Sequence, residues 1–264
     1  MIFHKKKSLG QNFLINKGIL EIIAKEAEIK KGEIVVEVGP GSGYLTQSLL
    51  EAGAVVFAIE KDNRLIQILK EKFTKKIKNK RLILINDDIL KFNFAKLVRS
   101  KKYKIVANIP YYITGALFKK IFSQKNLPSL VVLTLQKEVA KRIIVMDGKE
   151  SILSISVKAY GKPKIVKIVS RGSFSPVPSV DSAILKITDI SKNFFKEFPE
   201  EKFFSILHAG FSSKRKFLIS NLQKIESKEK LEKIFNRLNI NKKIRAEDLD
   251  LNEWKKLTTM LHDL

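Results

Sequence analysis

The chain has 264 residues, 44% of them hydrophobic, enough to bury the core of one large domain and a small one. Its 51 Lys and Arg against 27 Asp and Glu leave a net charge of +24, which points to a polyanionic partner such as nucleic acid. The lack of cysteine excludes disulfides, thiolate catalysis and Cys-based zinc sites, and no apolar run approaches the roughly 18 residues of a membrane span. His4, His208 and His262 lack any metal-ligand spacing, so no metal is expected. Residues 1–7 are basic but lead into no apolar signal region, and the expectation is a soluble cytoplasmic monomer without a membrane partner.

In chain order, a helix comes first, because Ile15, Ile19, Ile22 and Ile23 recur at helical spacing. From residue 33 short β-branched runs alternate with helical patterns, as in a parallel sheet covered on both faces. Strands are expected at residues 34–38, 55–59, 82–85, 104–107 and 130–135, with a late pair at 164–170 and 183–187. Helices are expected at 43–51, 62–75, 114–122 and 137–144, with Asp62 and Thr114 as N-caps. Strand signals stop after Thr188. Beyond it, Phe203, Phe204, Leu207 and Phe211 share one helix face and Leu231, Ile234, Phe235 and Leu238 another. The fold class is therefore α/β: a seven-stranded, mostly parallel sheet over residues 1–190, followed by a small all-helical domain over residues 191–264.

The first strand runs into Glu37-Val38-Gly39-Pro40-Gly41-Ser42-Gly43-Tyr44, a Gly-rich turn opening a helix, where missing side chains let a ligand approach the backbone. A dinucleotide fingerprint needs its third glycine at position 44, which is Tyr44, and no phosphate-cradling GxxxxGK[ST] is present. Glu60 closes the second strand about 20 residues after Gly39, the place of an acid that binds ribose hydroxyls. The third strand ends in Asn86-Asp87-Asp88, where either carboxylate is suited to the amino group of a cofactor adenine.

The fourth strand ends in Asn108-Ile109-Pro110-Tyr111. An exocyclic amine such as adenine N6 delocalises its lone pair into the ring and attacks a methyl sulfonium poorly. Two acceptors, the Asn108 side-chain oxygen and the Ile109 carbonyl, would hold both N6 hydrogens and turn the lone pair towards the methyl group. Pro110 fixes the Ile109 carbonyl, Tyr111 stacks on the base, and alignment supplies most of the rate without a strong base.

These motifs, with Lys7-Ser8-Leu9-Gly10-Gln11-Asn12-Phe13-Leu14, Asp88-Ile89-Leu90-Lys91-Phe92, Phe174-Ser175-Pro176-Val177-Pro178-Ser179, a Phe211-to-Leu222 segment carrying Lys214-Arg215-Lys216 on a helix, and Arg245-Ala246-Glu247, resemble the ribosomal RNA adenine N6,N6-dimethyltransferase family, in its bacterial small-subunit branch. The resemblance spans most of the chain; Tyr112 departs from it, standing where the family commonly has Asn. It implies a Rossmann-like S-adenosylmethionine-dependent methyltransferase fold with S-adenosylmethionine as cofactor. Asn12, Leu14, Gly39, Gly41, Glu60, Asp88 and Asn108 would line the cofactor site, and Phe174 would stack on the target base opposite Tyr111. It also implies 16S rRNA of the small ribosomal subunit as partner, dimethylated on two adjacent adenosines of a loop near the 3′ end. Lys5 to Lys7 and Lys214, Arg215 and Lys216 are candidate RNA phosphate contacts. The alternatives are the large-subunit (23S rRNA), macrolide-resistance branch and a non-catalytic ribosome assembly factor.

Overall fold

The computed structural model describes residues 12–94 and 102–262. They fall into two compact units, one within residues 1–140 and 163–190, the other within 141–162 and 191–264. The expected phosphate contacts at Lys5 to Lys7, and the entry motif up to Gln11, lie outside the described residues.

The first unit opens with β1 (Phe13–Leu14) and α1 (Lys17–Glu26), then β2 (Ile34–Val38), α2 (Tyr44–Glu51), β3 (Val55–Glu60), α3 (Asn63–Lys72), α4 (Thr74–Lys78) and β4 (Leu82–Asn86). It continues with β5 (Tyr103–Asn108), α5 (Thr114–Phe122), β6 (Leu130–Gln136) and the start of α6 (Lys137–Ile144). After α7 (Ile152–Tyr160), which belongs to the second unit, come β7 (Lys162–Val169), β8 (Phe174–Ser175) and β9 (Ser182–Thr188). Seven strands form one sheet in the order β4-β3-β2-β5-β6-β9-β7, and β1 pairs with β8 separately. Neighbours from β4 to β6 run parallel, and β9 is antiparallel to β6.

The β-branched runs explain why these segments are strands. Val35, Val56, Val106, Val132 and Ile184 meet Leu20 and Ile23 of α1, Leu45 and Leu49 of α2 and Leu69 of α3 in one apolar cluster. Residues of the opposite register, Val36, Ile105 and Ala107, are as fully buried, which requires a second covering layer. Asp62 caps α3 by accepting the Arg64 N–H at 3.1 Å, as its place in the sequence predicts. The expected helix 62–75 is interrupted at Phe73, whose φ of −113° and ψ of 24° are not helical. Thr114 is not an N-cap. A 3₁₀ turn, Tyr111–Ile113, precedes α5, and the Thr114 hydroxyl turns back to the Tyr111 carbonyl at 3.0 Å.

This strand order reverses direction between β2 and β5. From β2 the chain winds outward through β3 to β4, and from β5 it winds the other way to β6. Ligands of open α/β sheets bind at the carboxyl ends of the strands flanking such a switch point, here Val38 and Asn108.

The second unit holds α7, α8 (Glu200–Gly210), α9 (Leu218–Leu222), α10 (Lys228–Arg237) and α11 (Leu251–His262). Ile155 and Ala159 of α7 join Phe203, Leu207, Leu231, Phe235 and Trp254 in its core. That packing is why residues 141–162 group with the C-terminal helices, alongside the expected division near residue 190. No helix is long and apolar enough to cross a membrane among the described residues.

Candidate active site at the strand switch point

The Gly-rich turn leaves β2 through Gly39, Gly41 and Gly43, with φ of 66°, 58° and 78°. These left-handed conformations are available to glycine at little cost, and Gly43 there caps α2. A Cβ on Gly41 would lie 2.7 Å from the Phe13 ring, so this glycine lets the entry segment close onto the turn. A Cβ on Gly39 would meet nothing within 4 Å, so its open face looks into space.

That space is a cavity of about 340 Å³, within the range of small-molecule sites. Asn12, Leu14, Gly39, Gly41, Glu60 and Asn108 line it, together with Ile109, Pro110 and Tyr111. Residues from four chain segments therefore converge at the switch point. The sequence reading missed Phe13, Tyr44, Lys61, Leu65 and Tyr112, which also line the cavity. Each lies within a few positions of a motif residue, and only the curvature of the turns brings it inward.

Glu60 is held by two backbone donors, Gly41 N–H at 3.3 Å and Asp62 N–H at 2.8 Å, which tie the end of β3 to the turn after β2. Burial nevertheless pushes its carboxyl above the usual range, because two neutral donors replace only part of its hydration. Beneath the turn, Glu37 on β2 is 1% exposed and accepts the Thr46 hydroxyl at 2.7 Å. Burial pushes its carboxyl up to about 8, so it is mostly neutral at pH 7.

Asn108 is the last residue of β5, opposite Thr134 of β6. Its side-chain Nδ2 donates to the Asn12 carbonyl at 3.0 Å, which commits the nitrogen to the entry segment and leaves Oδ1 as the acceptor end. Ile109 N–H donates to the Thr134 carbonyl at 3.3 Å, while its own carbonyl accepts no hydrogen bond among the described residues. Pro110 sits at φ −58° and ψ 132°, ending the strand. The Tyr111 hydroxyl shares a 2.8 Å hydrogen bond with Ser182 of β9, and burial raises its pKa, so the ring is a neutral, anchored plane.

Two expected participants are not brought to the cavity. Phe174 is 2% exposed, opposite Leu14 in the β1–β8 pair, and packs in the main core. Asp88 lies outside the lining. Its Oδ2 is paired with Lys61 at 2.9 Å and its Oδ1 accepts Leu90 N–H at 3.0 Å, and the Lys61 hydrogen bond draws its pKa below the usual carboxylate range. Asp87 accepts the Asp88 N–H at 2.7 Å and does not line the cavity either.

In the second unit, Lys214, Arg215 and Lys216 are exposed in a turn between α8 and α9, not on the expected helix. The buried Asn221 shapes the approach to this turn, donating to the carbonyls of Gly210 at 2.6 Å and Ser213 at 3.0 Å.

A family model described as ribosomal RNA adenine dimethylase matches residues 2–263. Ribosomal RNA small subunit methyltransferase A of Dehalococcoides mccartyi is 40% identical over 255 residues, covering 96% of this chain and 87% of the relative. Among solved structures, a dimethyladenosine transferase from Plasmodium falciparum is 31% identical, with a TM-score of 0.80 over 93% of this chain and 95% of that one. The 23S rRNA methyltransferase ErmE has a TM-score of 0.76 over 96% of this chain and 100% of its own, at 24% identity, a likeness of fold.

Proposed function

We propose, from the premise that the chain belongs to the ribosomal RNA adenine dimethylase family, that it transfers methyl groups from S-adenosylmethionine to N6 of two adjacent adenosines near the 3′ end of 16S rRNA. It would act in the cytoplasm, as a monomer, on the small ribosomal subunit or its precursor. The residues present suit this cofactor: an open glycine face at Gly39, an acid at Glu60 placed for ribose hydroxyls, and apolar walls from Leu14 and Leu65. In the proposed complex Asn12, Leu14, Gly39, Gly41, Glu60 and Asn108 hold the cofactor. Asp88, paired with Lys61 here, would be the acceptor for its adenine amino group.

S-adenosylmethionine supplies an electrophilic methyl group on a sulfonium. The chain's part is to present the amine. In the first transfer Asn108 Oδ1 and the Ile109 carbonyl accept the two N6 hydrogens, in the second one of them accepts the single hydrogen left, and each time the lone pair points at the methyl carbon. The new nitrogen–carbon bond would form as the sulfur–methyl bond breaks, its electron pair staying on the departing S-adenosylhomocysteine, and the cationic N6 would then release a proton to water, so no strong base is needed. Tyr111, held by Ser182, stacks on the ring and fixes its plane. The observation that carries this reading is the Asn108 to Asn12 hydrogen bond, which orients the amide with its oxygen available.

A base must leave its stack to enter such a pocket, at a cost of a few kcal/mol, so loop adenosines are the cheaper targets. The exposed Lys214, Arg215 and Lys216 turn would add phosphate contacts. The test is incubation with labelled S-adenosylmethionine and unmethylated small or large subunits, followed by mapping of the modified nucleotides. N6-dimethyladenosine at two adjacent positions of small-subunit RNA is the expected result. Label confined to large subunits would assign the protein to the other branch, and no label would leave an assembly factor.

A further inference from the structure

Tyr112 is an unusual residue to leave in water. It lines the cavity beside Pro110 and Tyr111, yet is 70% exposed. Its neighbour Tyr111 points its hydroxyl inward to Ser182, whereas the Tyr112 hydroxyl makes no hydrogen bond among the described residues. The two rings lie on one 3₁₀ turn whose backbone is fixed by Ile113 N–H donating to the Pro110 carbonyl at 3.2 Å and by the Thr114 hydroxyl at the Tyr111 carbonyl. The turn therefore holds a second aromatic face at the mouth of the cavity, next to the one proposed to carry the target base.

A large exposed ring on a rigid turn contributes little to stability, since it buries less than a third of its surface. It does have a use against RNA. When an adenosine leaves its stack, its neighbour loses a stacking partner and exposes a π-face to water. An aromatic side chain at the rim replaces that partner whatever the base, with a gain of about 1–3 kcal/mol per base.

We propose that Tyr112 stacks on the nucleotide flanking the target adenosine, replacing the stacking lost when that adenosine enters the cavity. The inference rests on the reading of the site as an RNA adenine methyltransferase. It makes Tyr112 a substrate-positioning residue distinct from Tyr111 and from every residue assigned to the cofactor.

The test uses the full-length protein with unmethylated small subunits, comparing wild type, Tyr112→Phe and Tyr112→Ala. Tyr112→Ala is expected to raise KM for subunits by about 5- to 150-fold. Its S-adenosylmethionine affinity should match wild type, and Tyr112→Phe should behave as wild type throughout. In a second measurement, 2-aminopurine replaces either of two adjacent adenosines in a loop RNA. Wild-type protein is expected to quench the flanking probe, and Tyr112→Ala to leave it bright. An unchanged KM with unaltered quenching would overturn the proposal, as would loss of cofactor affinity in Tyr112→Ala, which would place the ring over the cofactor. Failure of Tyr112→Phe alongside Tyr112→Ala would also overturn it by assigning the role to the hydroxyl. Absence of any methylation by wild type would instead defeat the functional reading itself.

Discussion

Glu37 offers a test of the site's architecture that needs no substrate. Its carboxyl is 1% exposed on β2, with Oε2 bonded to Thr46 and Oε1 without a partner among the described residues. Burial, with the nearby Glu60 charge adding to it, raises the pKa from 4.5 to about 8. The sign follows by linkage. Between about 4.5 and 8 the unfolded chain has released this proton while the folded chain keeps it, so stability contributed by the neutral form is full below that window and is lost as pH rises through it. One proton corresponds to a slope approaching about 1.4 kcal/mol per pH unit. Glu37→Gln keeps the shape and an acceptor for Thr46 but cannot ionise. Urea denaturation at steps from pH 5 to 8.5 is therefore expected to show the variant about equal to, or slightly less stable than, wild type at the acid end. It should gain on wild type steadily towards pH 8, by a few kcal/mol in total. Parallel stability curves for the two proteins would refute the reasoning, because they would mean that Glu37 keeps an ordinary pKa in the folded state.

Asn108→Ala removes the acceptor that aligns N6, and by analogy with the loss of one preorganised hydrogen-bonding group kcat should fall by about 100- to 1,000-fold while RNA binding largely persists. Appreciable N6-dimethyladenosine from this variant would sink the mechanism. Neutralising Lys214, Arg215 and Lys216 together should flatten the plot of log affinity against log salt by about 2, at roughly 0.7 per phosphate contact on single-stranded RNA. An unchanged slope would place that turn away from the RNA.

The parts of this fold that are legible in the sequence are those whose signal is local and repeated. Ile34–Val38 is a strand in both readings because its apolar residues are buried on both faces, and Asp62 caps its helix because a short acceptor precedes a periodic apolar run. What escapes is set by distant packing or by very short elements. Phe13–Leu14 and Phe174–Ser175 are too short to carry a period, yet their pairing brings Asn12 and Leu14 to the cavity. Residues 141–162 join the C-terminal unit through Ile155 and Ala159, whose partners in that unit's C-terminal helices lie more than 30 positions away. The motif residues were readable because the chemistry demands particular groups at strand ends. Tyr44 and Tyr112 were not, because nothing in a lone tyrosine says which way its turn will aim it.

Phe174 shows how structure and energetics together discipline such a reading. The family resemblance gives it a place against the target base, yet its ring is 2% exposed and sits opposite Leu14. Bringing it out would forfeit about 1.5–3 kcal/mol of apolar burial, which base stacking at about 1–3 kcal/mol only balances. The β1–β8 pairing would be disturbed as well. On that balance Phe174 stays in place and acts by supporting Leu14 at the cavity wall. Phe174→Ala should then cost about 3–5 kcal/mol of stability and weaken cofactor binding. Phe174→Leu, which keeps an apolar side chain there, should leave KM for the RNA substrate close to wild type. The contrary result is distinctive: a Phe174→Leu protein with a near-native Tm and unaltered cofactor affinity, but a KM for small subunits raised about 5-fold or more. It would mean that the ring leaves the core to meet the base, and that the β1–β8 pair opens during each catalytic cycle.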